Sequence, residues 1–241
     1  MAGHSKWKNI MHKKGKTDAQ RAKVFTKIGK EMSIAVKEGG PNPVSNSKLK
    51  DLIAKAKSLN VPNDNIERII KKASSDDSAD YENITYEGYG PSGVAVIVEC
   101  ATDNRNRTGG DMRHYFDKFG GNLGATGCVT YLFTQKGVIA VDACGIDEDK
   151  FMDDVLEAGA ADFTKEEEIF EVLTDPALFS EVSVKLENLG YKLLAAEIEM
   201  IPSMYVKLED AESVVKMNKL LDHVEDNDDV INVWHNWENP E

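Results

Sequence analysis

Two groups of side chains in this sequence have the type and spacing to engage a polyanion. The first lies at the N-terminus, where Lys6, Lys8, Lys13, Lys14 and Lys16 alternate with His4 and His12 around Trp7. Lysines neutralise phosphates and release their counterions. A tryptophan with no core to fill can stack on a base or wedge into a groove; its other role is to pack back onto neighbouring helices. Arg21, Lys23, Lys27 and Lys30 continue the positive charge into the segment that follows. The second group is Arg105, Arg107 and Arg113, three of the five arginines in the chain within nine positions. They stand at a strand-to-helix junction, where free N–H groups already create positive potential. Cations placed there call for an anion, and guanidinium suits bidentate binding of phosphate or carboxylate. Asp103, Asp111 or Glu99 could supply that anion from within the chain and leave the arginines merely shaping the loop.

The charge distribution supports the first group. Residues 1–72 carry 17 Lys and Arg against 6 Asp and Glu, a net of +11. The whole chain has 29 against 42, a net of −13, which leaves −24 for residues 73–241. A pI near 4.9 conceals this division. Screening over about 8 Å at physiological salt prevents the acidic body from neutralising a basic arm that projects away from it. The charge asymmetry also steers the positive end toward a phosphate surface.

Other patterns are less productive. Gly120-Gly-Asn-Leu-Gly-Ala-Thr-Gly127 invites a nucleotide-loop reading, but a dinucleotide loop runs from strand into helix. Here the stretch follows a helix and precedes a strand, so a helix C-cap and flexible loop fit better. His114 and Asp111 could be neighbours on a helix, yet no nucleophile accompanies them. The acidic pairs at 147/149 and 153/154, and the run 225–229, read as solvated faces and a turn, without the spacing of a calcium loop. Cys100, Cys128 and Cys144 show no Cys-x-x-Cys spacing and suit free thiols in a reducing cytosol. No apolar run approaches the roughly 18 residues of a membrane span, and the N-terminus has no apolar signal core. The expectation is a cytoplasmic, non-enzymatic protein with no cofactor, metal, membrane or small-molecule substrate.

The elements that must position these groups follow from periodicity. Residues 1–17 read as a basic, flexible arm. Helices are expected over about 18–36, 47–59 and from 64. Phe25, Ile28, Met32 and Ala35 share one side of the first, opposite Lys23, Lys27, Lys30 and Lys37. Asp64 to Glu67 resembles a capping box for the third. These make a helical domain, 18–73, closed by an acidic linker, 74–82. Beyond it strands are expected at 94–100, 128–133, 137–141, 168–173, 191–200, 204–208 and 230–235. Helices fall between them at 108–119, 147–159, 177–189 and 211–224. The order β-α-β then β-α-β is that of a split ferredoxin-like module. The predicted fold class is therefore α+β: a three-helix domain followed by two ferredoxin-like βαββαβ modules. The second, acidic module (134–203) would be inserted in the first (83–133 plus 204–241).

Several motifs, in register over nearly the whole chain, carry a resemblance. They are Gly3-His-Ser-Lys-Trp7, Arg21-Ala-Lys-Val-Phe-Thr-Lys-Ile28 and Asn65-Ile-Glu-Arg-Ile-Ile-Lys-Lys72, then Thr102-Asp-Asn-Arg-Asn-Arg-Thr108, Gly120-Gly-Asn-Leu-Gly124 and Val230-Ile-Asn-Val-Trp-His-Asn236. In these the chain resembles the YebC/PmpR family, departing in details such as Lys13-Lys-Gly-Lys16. The resemblance implies three domains with a cleft between them and one of two functions. One is DNA-binding transcriptional regulation. The other is that of a ribosome-associated factor relieving stalled translation, notably at proline runs, as described for the related mitochondrial translational activator of cytochrome c oxidase. The first helix is rich in lysine and poor in the Arg, Asn and Gln that read base edges. A basic arm with one aromatic suits folded RNA. The expected partners are therefore ribosomal RNA or tRNA, with DNA as the alternative.

Overall fold

A computed structural model describes residues 18–75, 80–166 and 168–238, with side chains of the first helix from residue 22 onward. The arm residues Lys6, Trp7, Lys8, His12, Lys13, Lys14 and Lys16, and the Arg21 side chain, lie outside the described residues. Helices α1 (Asp18–Gly39), α2 (Ser47–Ser58) and α3 (Asn63–Ala73) come first. Ile28, Met32 and Ala35 of α1, Leu49, Leu52 and Ala56 of α2 and Ile66 of α3 bury one another. Asn46 fastens the first corner: its amide donates to the carbonyls of Ala35 and Gly40, and its oxygen caps α2 through the Leu49 N–H. The capping box expected at Asp64 does not form. Pro62, with φ fixed near −60°, stands at the N-cap and α3 starts at Asn63 without side-chain capping.

Gln135–Ile201 form one compact unit, and Asp18–Thr134 with the residues from Pro202 onward form the other. The larger unit contains β1 (Glu82–Tyr89), β2 (Ala95–Thr102), α4 (Arg105–Lys118), β3 (Asn122–Leu123), α7 (Ala211–Asp226) and β8 (Val230–His235). Its sheet has the order β3-β1-β2-β8, with β1 and β8 antiparallel to β2. Val96, Val98 and Cys100 of β2 pack against Met112 and Phe116 of α4 and Met217, Leu220 and Val224 of α7. Helix α1 lies against β2 and β8. The smaller unit takes its strands and helices from β4 (Phe133–Asp142), α5 (Glu148–Ala158), β5 (Asp162–Glu166), β6 (Ile169–Thr174), α6 (Phe179–Asn188) and β7 (Leu193–Pro202). Its sheet order is β5-β6-β4-β7. Phe151 stacks on Phe170 in its core, at 4.3 Å between ring centroids.

The chain is α+β as expected, but the strands of the larger sheet differ from the sequence reading. Residues 82–89 form β1 and, in the smaller sheet, 162–166 form β5, neither of them expected. β5 offers a single large apolar residue, Phe163, whereas β1 does alternate Ile84, Tyr86 and Gly88 with Asn83, Thr85 and Glu87, a period of two that the sequence reading missed. Because β1 precedes β2, the larger sheet reaches the spatial order of the smaller one through permuted connectivity. The strand expected at 128–133 is absent. Residues 130–132 form a single 3-10 turn and β4 starts at Phe133. The cause is Glu87, whose buried carboxylate takes up the N–H groups of Gly127, Val129 and Thr130 that a sheet ladder would have used. The strand expected at 204–208 is reduced to one bridge, Val206 to Trp237.

Candidate nucleic-acid interface

Lys23, Lys27 and Lys30 recur at steps of four and three residues, so they form one row along α1. That row faces the end of α7 and the turn after it. Lys23 pairs with the Asp226 carboxylate and donates to its carbonyl oxygen at 3.2 Å. Lys27 donates to the Glu225 carbonyl at 2.6 Å. Lys30 donates to the Asp228 carbonyl at 2.9 Å and to Asp229 Oδ1 at 2.7 Å. The carbonyls at a helix C-terminus lack intrahelical donors and carry negative potential, so the row of α1 lysines caps α7. The acidic stretch 225–229, expected to be a turn, is therefore the partner of the lysine face.

Asp229 is the centre of this contact. Its side chain is 7% exposed and that of Lys30 is 11% exposed, against 38% and 74% for Lys23 and Asp226. The second carboxylate oxygen accepts from Arg107 at 2.7 Å, the Thr108 hydroxyl at 2.8 Å and the Thr102 hydroxyl at 3.2 Å. The Asp229 carbonyl accepts from the Ala101 N–H at 2.8 Å. Burial alone would raise the carboxyl pKa, but the bonds from Arg107, Lys30 and Thr108 outweigh it and bring it to about 2. Burial and the nearby Asp229 charge push the Cys100 thiol up to about 12, which leaves it unreactive at neutral pH.

The three arginines separate. Arg107 turns inward to Asp229 and also pairs with Asp103 at 2.9 Å, one of the internal partners considered from sequence. Asn104 caps α4 by accepting from the Arg107 N–H. The Arg105 side chain is 68% exposed and forms a loose ion pair with Glu82 at 3.8 Å. Arg113 is exposed on the outer side of α4. Sequence reasoning passed over a second basic surface on the helical domain. Lys50 and Lys57 on α2, and Lys71 and Lys72 at the end of α3, are exposed and meet no acid among the described residues. The seven-residue spacing of Lys50 and Lys57 and the Lys71-Lys72 doublet were the available signals. Among the described residues no three His, Cys, Asp or Glu gather to hold a metal, and no helix is long and apolar enough to cross a membrane.

Comparisons with known proteins agree with this architecture. Residues 5–76 match the family domain described as the TACO1/YebC protein N-terminal domain, and residues 81–237 match the TACO1/YebC second and third domain. A "Probable transcriptional regulatory protein" of Acetivibrio thermocellus is 59% identical over 239 residues, covering 98% of this chain and 99% of the relative. A protein of the same name from Ruminiclostridium cellulolyticum is 57% identical, covering 100% and 98%. The crystal structure of a conserved hypothetical protein from Aquifex aeolicus superposes with a TM-score of 0.83 at 45% identity, covering 94% of each chain. With both halves matched and the fold shared, the chain belongs to the TACO1/YebC family.

Proposed function

We propose that the protein is a non-enzymatic regulator of gene expression that binds nucleic acid through its basic N-terminal part, acting on RNA of the translation machinery to relieve stalled ribosomes. The observation that carries this reading is the charge of that part, +11 over residues 1–72, together with the exposed Lys50, Lys57, Lys71 and Lys72. Those cations are lysines suited to phosphate, with little of the Arg, Asn and Gln chemistry that reads base edges. They favour recognition of a folded RNA by its backbone over sequence-specific DNA reading. The arm, with Lys6, Lys8, Lys13, Lys14, Lys16 and Trp7, would enter an RNA crevice, and the lysines of α2 and α3 would hold the surrounding phosphates. Transcriptional regulation through DNA is the second reading, favoured by the name that the relatives carry. Sedimentation of lysate through a sucrose gradient at low and high salt tests the choice. Salt-sensitive migration with ribosomal particles is expected. Migration as free protein that retains promoter DNA would transfer the function to transcription.

A further inference from the structure

We propose that the α1 row of Lys23, Lys27 and Lys30 is a cryptic site for a nucleic-acid backbone, occupied in this structure by the chain's own segment 225–229, the end of α7 and the turn after it, acting as a phosphate mimic. The inference rests on the nucleic-acid binding proposed above and adds a regulated site to it.

Spacing comes first. From Lys23 to Lys30 the helix rises about 10 Å, a row able to track successive phosphates on one side of a strand. What the row now holds is a short run of anionic and carbonyl oxygens: the Glu225, Asp226 and Asp228 carbonyls and the Asp226 and Asp229 carboxylates. Charge is matched as well, with Lys23, Lys27, Lys30 and Arg107 facing Glu225, Asp226, Asp228 and Asp229. The turn also carries more acid than its fastening uses. The carboxylates of Glu225 and Asp228 are exposed and form no hydrogen bond or ion pair among the described residues. A turn selected only to cap α1 against α7 through carbonyls has no need of them, whereas an imitation of a polyanion does.

Exposure divides the contact into a fixed end and a removable end. Lys30 and Asp229 are nearly closed to solvent, so the turn is anchored there. Lys23 and Asp226 are open to water and counterions, where ion pairs are screened and weak. An incoming backbone can take over Lys23 and Lys27 from the Asp226 carboxylate and the Glu225 and Asp226 carbonyls, while the Lys30–Asp229 anchor and the bonds of Asn227 to Asp111 and Tyr115 hold the segment in place.

The test is binding of a fluorescein-labelled single-stranded RNA of about 20 nucleotides to the full chain, at about 50 and about 200 mM KCl, with duplex DNA of the same length in parallel. The variant E225Q/D226N/D228N removes the mimic's charge and keeps its carbonyls and Asp229. Its control, D117N/D153N/E209Q, removes as much acid outside the basic N-terminal part. The mimic variant is expected to bind RNA about tenfold more tightly than wild type, with a salt slope steeper by about one unit. The control should stay within about twofold. Adding K23Q/K27Q to the mimic variant should abolish the gain, while the same pair in wild type changes affinity little. Should the triple variant lose its fold by circular dichroism, D228N alone carries the same test, with about a threefold gain expected. Equal affinity of wild type, mimic variant and control overturns the cryptic site but leaves RNA binding standing, as does an equal gain in mimic variant and control. RNA binding by the mimic variant alone supports the site and overturns binding by the resting chain. No binding to either nucleic acid by any variant overturns both.

Discussion

Lys30 places its Nζ 2.7 Å from Asp229 Oδ1, in a contact that joins the helical domain to the edge of the larger sheet. Asp229 sits just before β8, the Thr102 hydroxyl that bonds it ends β2, and Thr108 and Arg107 start α4. One carboxylate thus holds four elements in register. Taking an ion out of water is costly, and these shared partners are what offsets that cost for Asp229.

Removing that charge should therefore unsettle the whole larger unit. Asp229→Asn leaves Lys30 with a lost counter-charge in a nearly closed position, and should cost about 3 kcal/mol in urea unfolding. Lys30→Met, which fills the same space without a charge, should cost less, since Arg107, Thr102 and Thr108 still satisfy Asp229. Equal losses for the two variants would mean that Asp229 is not the centre of the contact.

The same carboxylate gives the stability curve a defined acid limb. Its pKa is lowered from the ordinary 3.8 to about 2 in the folded chain. The unfolded state therefore binds the proton more readily, and stability rises with pH through that interval. The contribution of Asp229 should be fully present above about pH 5 and decline as pH falls through 4 toward 2. Asp229→Asn should flatten the melting temperature against pH over that range and leave the slope above pH 5 unchanged.

Glu87 should behave as a buckle for the glycine-rich loop. Its two oxygens accept from the N–H groups of Gly127 at 2.7 Å, Val129 at 3.0 Å and Thr130 at 2.9 Å. Those bonds hold its pKa below the usual carboxylate value although burial acts the other way. Glu87→Gln replaces one acceptor by an amide that points hydrogens at N–H donors. A loss of about 2 kcal/mol is expected, with faster hydrogen exchange at Gly127, Val129 and Thr130. Unchanged exchange there would show that the loop is held by its own turns.

How far the sequence disclosed all this depended on the range of each interaction. The helices and β8 were legible because their signals are local: Leu49, Leu52 and Ala56 repeat with the helix, and 230–235 was read at its observed bounds. Residues 128–133 were misread as a strand because apolar character suggested a ladder, while Glu87, some 40 positions away, had claimed the N–H groups. β1 escaped notice because it adjoins the acidic stretch read as a linker, 74–82, although Ile84, Tyr86 and Gly88 alternate with Asn83, Thr85 and Glu87 as a strand requires. The lysine row of α1 was found, but its partner was not. A row of cations reads the same in sequence whether it meets phosphate or Asp229.

Two glycines separate conformational need from mere presence. A Cβ at Gly121 would lie 2.6 Å from the Tyr89 carbonyl oxygen and 3.1 Å from the Gly90 Cα, both backbone and unable to yield. Gly121→Ala should lower stability by about 2 kcal/mol. At Gly110, inside α4, a Cβ would meet nothing within 4 Å. Gly110→Ala should stabilise by up to about 1 kcal/mol through helix propensity. Thermal melts of the two variants should therefore move in opposite directions.

The last prediction separates the lysines that face outward from those already partnered. Lys71 and Lys72 are exposed at the end of α3 with no acid beside them among the described residues, whereas Lys23 and Lys30 are held by Asp226 and Asp229. If the basic N-terminal part binds RNA, Lys71→Glu with Lys72→Glu should weaken binding at least about tenfold and reduce the salt slope by about one unit. Lys13→Glu with Lys14→Glu in the arm should do the same, and Trp7→Ala should weaken binding with little change in melting temperature. Neither arm nor α3 variant should alter the pH limb set by Asp229, because neither pair is among its bonding partners. A variant that loses stability but keeps its RNA affinity would instead place Lys71 and Lys72 in a structural role, and the phosphate-holding surface would have to be sought on Lys50 and Lys57.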